Sequence, residues 1–183
     1  MNFCPNCGGT TARQVPEGDN RLRDLCEPCG IIHYENPKII AGCVVLKEEK
    51  VLLCKRAIEP RYGLWTLPAG FMENGETVAE AALRETWEEA RATPELDKLY
   101  VVTSIPAICQ VYMLYLSFLI DGQYESGSES LDTQLFKMSE IPWDDLAFHT
   151  VRDTLLHLKR DLEAKKFTML SIDHEKVSTT ANV

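Results

Sequence analysis

Three glutamates carry the first chemical signal. Glu85, Glu88 and Glu89 stand at i, i+3 and i+4, a spacing that puts all three on one face of a helix about a turn apart. Carboxylates held that close repel one another unless a cation lies between them. Clustered hard oxygen ligands suit Mg²⁺ or Mn²⁺, which keep several waters and also take phosphate oxygens. An acidic helix face is also a common solvated surface, so the segment that feeds it matters. Leu67 to Glu76 enters the helix through Gly70 and Gly75, and a tight loop of this kind can aim a backbone carbonyl at a metal.

A second constellation is made of cysteine. Cys4-Pro5-Asn6-Cys7 and Cys26-Glu27-Pro28-Cys29 are two CxxC knuckles, each followed by glycine, with 18 residues between them. A two-residue gap lets both thiolates of a knuckle reach one ion, and four sulfurs close a tetrahedral zinc site with no open position for water. Disulfides or a redox CxxC are the alternatives. Neither motif lies between a strand and a helix, and a reducing compartment disfavours disulfides. The expected ion is structural Zn²⁺ on Cys4, Cys7, Cys26 and Cys29. Cys43, Cys54 and Cys109 sit in apolar, strand-like stretches and are expected to be small core residues.

Elements that can position these groups follow from patterning. Ile39 to Leu46 and Val51 to Cys54 flank the charged turn Lys47-Glu48-Glu49-Lys50 and read as a hairpin. Glu76 to Ala90 reads as a helix, with Thr77 as N-cap and Glu80 three residues on, the capping-box arrangement. Tyr100 to Ile105, Val111 to Ile120 and Gln134 to Lys137 read as strands. Val151, Leu155, Leu158 and Leu162 give a last amphipathic helix for the sheet to bury. Ser171 to Val183 is polar, lacks an apolar pattern and is expected to be partly disordered. The turn-rich first 34 residues hold too few large apolar side chains to build a core alone.

Bulk composition narrows the function classes. The 183 residues are 45% hydrophobic and 26% charged, a globular balance, and no apolar run approaches the ~20 residues that span a bilayer. The start of the chain shows neither a basic n-region nor an apolar h-region, so a cytoplasmic protein without a membrane partner is expected. A net charge of -9 argues against a broad nucleic-acid surface, which leans on clustered Lys and Arg. Residues 1–34 carry Arg13, Arg21 and Arg23 against Glu17, Asp19, Asp24 and Glu27, so packing or dimerisation suits them better than nucleic acid. A homodimer is the expected assembly.

The run from Gly70 to Ala92 resembles the Nudix box, G-x5-E-x7-R-E-U-x-E-E-x-G-U with U a bulky aliphatic residue. Gly70, Glu76, Arg84, Glu85, Glu88 and Glu89 stand at every required interval. Thr86 and Ala92 stand where U is expected, and Arg91 replaces the second glycine, where a left-handed cap is common. The resemblance implies an α/β fold: a Nudix α/β/α sandwich with a mixed sheet, preceded by a small zinc ribbon. The implied division is ribbon at 1–34, hydrolase domain at 35–165 and tail at 166–183. It also implies that Glu85, Glu88, Glu89 and the Gly70 carbonyl bind the catalytic Mg²⁺ or Mn²⁺, that Arg84 orients Glu85, and that Glu76 supports the constellation. The implied reaction is attack of water on a phosphorus of a pyrophosphate, with divalent ions offsetting charge on the leaving phosphate.

Many members of that family add a base or ligand from a loop after the box. Glu125, Glu129 and Asp132 occupy such a loop here, and Glu129 is the favoured candidate beside the reading of a solvated loop. A ribbon ahead of such a domain resembles the NADH pyrophosphatases. Asn36-Pro37-Lys38, Leu53 to Arg56, Gly63 to Gly70 and Ile141 to His149 resemble the plant-type FAD and ADP-ribose pyrophosphatases more closely. The serine-glutamine-proline-tryptophan-proline-phenylalanine-proline run of the NADH group is absent from residues 93–120, which argues against NADH specificity.

The implied activity is cleavage of FAD or ADP-ribose, a small dinucleotide-type substrate, with release of AMP. Hydrolysis of NAD(H) or of NAD caps on RNA is the alternative within enzymes. A nucleotide-sensing regulator without catalysis is the alternative outside them. Arg56, Arg61 and Tyr62 are candidates to meet phosphates or stack on a base, against the commoner fates of surface arginine and core tyrosine. Phe148 and His149 are weighed the same way, with helix-start packing favoured.

Overall fold

The computed structural model describes residues 1–175. The chain divides into two compact units, the first Met1–Pro37 and the second from Lys38 onward. In the first, β1 (Thr11–Gln14), β2 (Arg23–Cys26) and β3 (Ile32–His33) form a three-stranded antiparallel meander. Cys4, Pro16 and Cys26 are its buried apolar side chains, so little besides the cysteine quartet stands at its centre.

The second unit is a mixed sheet between two helices. Its strands are β4 (Lys38–Lys47), β5 (Lys50–Arg56), β6 (Trp65–Thr66), β7 (Ala69–Phe71), β8 (Glu95–Ile105), β9 (Gln110–Phe118), β10 (Ser130–Lys137) and β11 (Leu170–Asp173). The main order is β10-β5-β4-β9-β8-β11, with β6 on β5 and β7 on β4. β4 runs parallel to β9 and β8 parallel to β11, while the other pairs are antiparallel.

The period of two along β4 and β5 sorts their side chains onto two faces. Val44, Leu46, Val51 and Leu53 pack with Val151, Leu155 and Leu158 of α2 (His149–Ala164). Ala41, Cys43, Val45, Leu52 and Cys54 pack with Ala81, Ala82 and Ala90 of α1 (Val78–Ala90). The small side chains on the second face bring α1 close to the sheet, and α1 carries the glutamates. A capping box opens α1: the Thr77 hydroxyl accepts from the Glu80 N–H at 3.2 Å, and the Glu80 carboxylate accepts from the Thr77 N–H at 2.7 Å. Such a cap stabilises a helix by about 1 kcal/mol.

The expected hairpin opens after a single turn. β4 and β5 pair only at Leu46–Val51 and Lys47–Lys50, and beyond that β5 takes β6 and β4 takes β7 as partner. Part of the expected loop from Leu67 to Glu76 is therefore strand, because Ala69–Phe71 pairs with Ile40 to Gly42.

Three departures of the box from its pattern are absorbed in packing. Arg91 takes the left-handed cap itself (φ 48°, ψ 27°) with its N–H donating to the Trp87 carbonyl, and its guanidinium lies 4.0 Å from the centre of the Trp87 ring. The glycine conformation is kept without glycine, helped by a cation–π contact. Thr86 is buried and its hydroxyl donates to the Ala82 carbonyl at 2.7 Å, while Ala92 is buried against the sheet.

One expectation is corrected, and one segment holds a strand that was not foreseen. Cys109 is exposed and left-handed (φ 51°), closing the short 3-10 turn Pro106–Ile108, whereas Cys43 and Cys54 are buried. The strand ends at Ile105, as expected, and Cys109 lies in the turn that Pro106 opens between β8 and β9. The polar tail begins as β11, whose Leu170 and Ile172 are half-buried and whose Ser171 and Asp173 are exposed. Its pairing with Val101 to Ser104 uses backbone groups, so side-chain polarity does not forbid it. Residues 176–183 of the expected tail lie outside the described residues.

Candidate active site

Arg84 is the hub of the carboxylate cluster. Its Nε and Nη2 grip the two Glu76 oxygens at 3.0 and 2.8 Å, and its Nη1 donates to Glu85 at 2.7 Å and to Glu88 at 3.1 Å. Nη2 also donates to the Phe71 carbonyl at 3.0 Å, which ties the helix to the residue after Gly70. The fork geometry of a guanidinium suits such bidentate work. Arg84, with the Glu73 N–H, holds the Glu76 carboxyl at about 2, well under its usual value. Glu76 is thus an anchored anion, placed just ahead of the helix.

Glu85 and Glu89 meet the opposite electrostatics. Burial raises the Glu85 carboxyl, and the charges of Glu88 and Glu129 add to it against the pull of Arg84. Glu89 lies beneath the surface, where burial and then the Glu85 charge push it up to about 8 despite Arg56 and the Ala69 N–H. A side chain on Gly70 would collide with the Glu85 carboxylate, so the missing Cβ is what lets the backbone of residue 70 lie against that group.

This arrangement fits a divalent cation. Glu89 Oε2 is buried and has no hydrogen-bond partner, a costly state for a carboxylate unless a cation completes it. Glu85 crowds the backbone of Gly70, and Glu88 is the exposed third carboxylate. The donor set is oxygen throughout, as Mg²⁺ or Mn²⁺ requires.

Of the three acidic loop residues, Glu129 is the one whose charge bears on both Glu85 and Glu89. Asp132 is spent locally, accepting from the Thr133 N–H at 2.8 Å and Gln134 Nε2 at 2.6 Å. Glu125 contributes its backbone, the N–H donating to the Ala90 carbonyl at 2.8 Å.

Sequence reasoning missed the residue that docks this loop. Gly127 donates its N–H to the Glu89 carbonyl at 2.9 Å, and a Cβ at 127 would collide with the Glu88 carbonyl. The far side of the loop is held where the Ala57 N–H donates to the Glu129 carbonyl at 2.8 Å. The lone signal was a glycine in a serine- and glutamate-rich stretch, which reads as loop chemistry of any kind.

Arg56 stands in the site, and its loop companions do not join it. Its Nε donates to the Pro60 carbonyl at 2.9 Å, its guanidinium lies 5.3 Å from the Phe148 ring centre, and its charge opposes the rise of Glu89. Arg61 and Tyr62 are exposed, and among the described residues no side-chain hydrogen bond ties them to the carboxylates. Phe148 packs against the core at the start of α2 while it supports Arg56. His149 is exposed. Tyr112, half-buried on β9 and within reach of the Arg56 charge, was not foreseen.

In the first unit the sulfurs of Cys4, Cys7, Cys26 and Cys29 lie within 4.8 Å of one another. Cys4 and Cys29 are 3.8 Å apart and Cys7 and Cys26 3.4 Å, against the ~3.8 Å edge of a tetrahedron with metal–sulfur bonds of ~2.3 Å. Burial opposes ionisation of Cys4, yet N–H groups of Cys7 and Asn6 together with His33 hold its thiol below the usual value. The cluster is consistent with a zinc ribbon.

Comparison with known proteins agrees with both units. Residues 36–158 match the family model described as the NUDIX domain, and residues 2–35 match the one described as Nudix N-terminal, a zinc ribbon. The chain is 32% identical over 113 residues to an ADP-ribose pyrophosphatase of Methanocaldococcus jannaschii, covering 60% of this chain and 67% of the relative. It is 30% identical over 173 residues to the NAD-capped RNA hydrolase NudC of Vibrio vulnificus, covering 88% of this chain and 62% of that one. It spans about half of several other NudC relatives, such as 53% of the Vibrio parahaemolyticus protein. Among solved structures, a NUDIX hydrolase from Nitrosomonas europaea superposes with a TM-score of 0.91 at 48% identity, over 95% of this chain and 100% of that one.

Proposed function

Since the chain belongs to the Nudix family, we propose that it hydrolyses the pyrophosphate bond of FAD or ADP-ribose, releasing AMP, with Mg²⁺ or Mn²⁺ at the box and structural Zn²⁺ in the ribbon. The observation that carries the reading is the unpartnered Glu89 Oε2, buried beside Glu85 where Gly70 leaves room. Such a group is a ligand waiting for a cation. No helix among the described residues is long and apolar enough to cross a membrane.

A bound divalent ion supplies Lewis acidity and a lowered pKa for water. The chain's own residues do the rest. Glu85, Glu88 and Glu89, with the Gly70 carbonyl, would hold the ion, and Arg84 holds Glu85 and Glu88 in register while Glu76 anchors Arg84. Glu129, exposed and next to the cluster, takes the proton of the attacking water at its carboxylate. The new P–O bond forms as the P–O–P bridge breaks, and the leaving phosphate departs toward Arg56. Arg61 and Tyr62, exposed on the loop after Arg56, meet the distal part of the substrate in this scheme, which needs them to turn inward.

The test is a panel of FAD, ADP-ribose, NADH and nucleoside triphosphates with Mg²⁺, read as AMP released. No AMP from any member sinks the proposal, and so does an unchanged rate in Glu85→Gln. A second reading rests on the NudC relative, which is matched with the ribbon included. NAD-capped RNA therefore belongs in the panel, and a higher kcat/KM on it than on FAD or ADP-ribose would favour that reading. A cytoplasmic homodimer completes the proposal, and sedimentation of a monomer at working concentration removes the dimer from it.

A further inference from the structure

Both cysteine knuckles receive backbone N–H groups, and they differ in one side chain. Cys4 Sγ faces the N–H groups of Asn6 and Cys7, Cys26 Sγ that of Cys29, and Cys29 Sγ that of Ile31. Cys4 Sγ alone has an imidazole as well: His33 Nε2 lies 3.3 Å away. Among the described residues no other side chain apart from the cysteines themselves bonds a ribbon sulfur. His33 is held in place by the sheet, because β3 pairs it with Asp24 of β2, the strand that delivers Cys26.

We propose that His33 is a positioning residue of the metal centre, a fixed N–H donor to Cys4 Sγ that retains zinc in the ribbon. The inference rests on the reading of the quartet as a zinc site. A sulfur bound to zinc is a thiolate and carries no proton, so the hydrogen between the two atoms sits on Nε2, and the neutral imidazole tautomer is enough to supply it. Four thiolates on one divalent ion leave two negative charges. Cys4 is 2% exposed, so water offers it little relief, and a chain of net charge -9 offers little counter-charge. Donors to ligand atoms are the remaining means of spreading that charge, and loss of one such partner typically weakens a metal site about 10- to 100-fold.

The test uses the full-length chain. Zinc per chain is measured first by elemental analysis, and then the rate of zinc transfer to a chromogenic chelator is compared for wild type, His33→Phe and His33→Gln. About one zinc per chain is expected. His33→Phe, which fills the space without donating, should release it about tenfold faster or more, and His33→Gln, whose amide can donate, should recover part of the difference. A wild-type chain without zinc overturns the ribbon reading and this inference with it. Bound zinc with equal release in all three overturns the role of His33 and leaves the ribbon reading standing. Should His33→Phe fail to fold, the wild type decides alone: after ¹¹³Cd substitution, a scalar coupling between the metal and the His33 Hε2 is expected, and its absence overturns the bond.

Discussion

The backbone of Gly70 lies against the carboxylate of Glu85, in space that a Cβ at residue 70 would occupy. The middle residue of one short strand is thereby set into contact with a residue on the second turn of a helix. Gly70→Ala should displace Glu85 and lower kcat about 100-fold, as a shift of ~1 Å can do. The substitution lies at the sheet edge, so far-UV circular dichroism should be unchanged. Near-normal turnover would remove the contact from the proposed mechanism.

Glu89 predicts how metal and stability are linked. Its Oε2 is buried without a partner, so the metal-free fold carries a cost that bound cation removes. Wild type should gain Tm when Mg²⁺ is added after chelation. Glu89→Gln should melt at or above the chelated wild type, gain little from Mg²⁺, and lose turnover. An equal Mg²⁺ gain in both proteins would show that Glu89 is not a ligand.

Gly127 predicts the worth of the loop clasp. Its N–H caps the Glu89 carbonyl and its bare Cα clears that of Glu88. Gly127→Ala should lift the loop from the last turn of α1, carry Glu129 away, and lower kcat about tenfold or more with a smaller change in KM. Loss confined to KM would instead assign the loop to substrate binding.

Asp161 predicts an acid limit to the fold. The buried Asp161 carboxylate accepts from the Tyr100 hydroxyl at 3.0 Å and the Thr168 N–H at 2.7 Å, with His157 Nε2 3.4 Å away. Burial works against its charge, and these donors outweigh burial and hold its carboxyl below the usual aspartate value. A depressed carboxylate contributes stability that is present above its unfolded pKa and lost as pH falls through the folded one. Wild type should therefore lose Tm on acidification below about pH 4, and Asp161→Asn should flatten that limb and cost about 1–3 kcal/mol at neutral pH. Parallel acid limbs in the two proteins would show that Asp161 is not responsible.

Much of the chemistry was legible because it is local. The i, i+3, i+4 spacing of Glu85, Glu88 and Glu89, the Thr77–Glu80 cap and the two CxxC knuckles are each made within about a helical turn or one tight bend, so residue order alone specifies them. The alternation along β4 and β5 was legible for the same reason. The small strands β6 and β7 were not, since two or three residues carry no period to detect. Cys109 was misplaced because apolar composition does not reveal that a connection between two strands turns out toward solvent. β11 was missed because its pairing to β8, some 70 residues earlier, is made by backbone groups common to every sequence.

By itself, then, the sequence determined which residues carry charge and sulfur and how they are spaced along single elements. Only the tertiary structure decided what faces them. The hairpin that opens to admit Ala69–Phe71, the loop that Gly127 clasps to α1, Arg56 leaning on Phe148, and His33 beside Cys4 all join residues distant in the chain. Those contacts depend on how whole elements pack, a property no short window of residues contains.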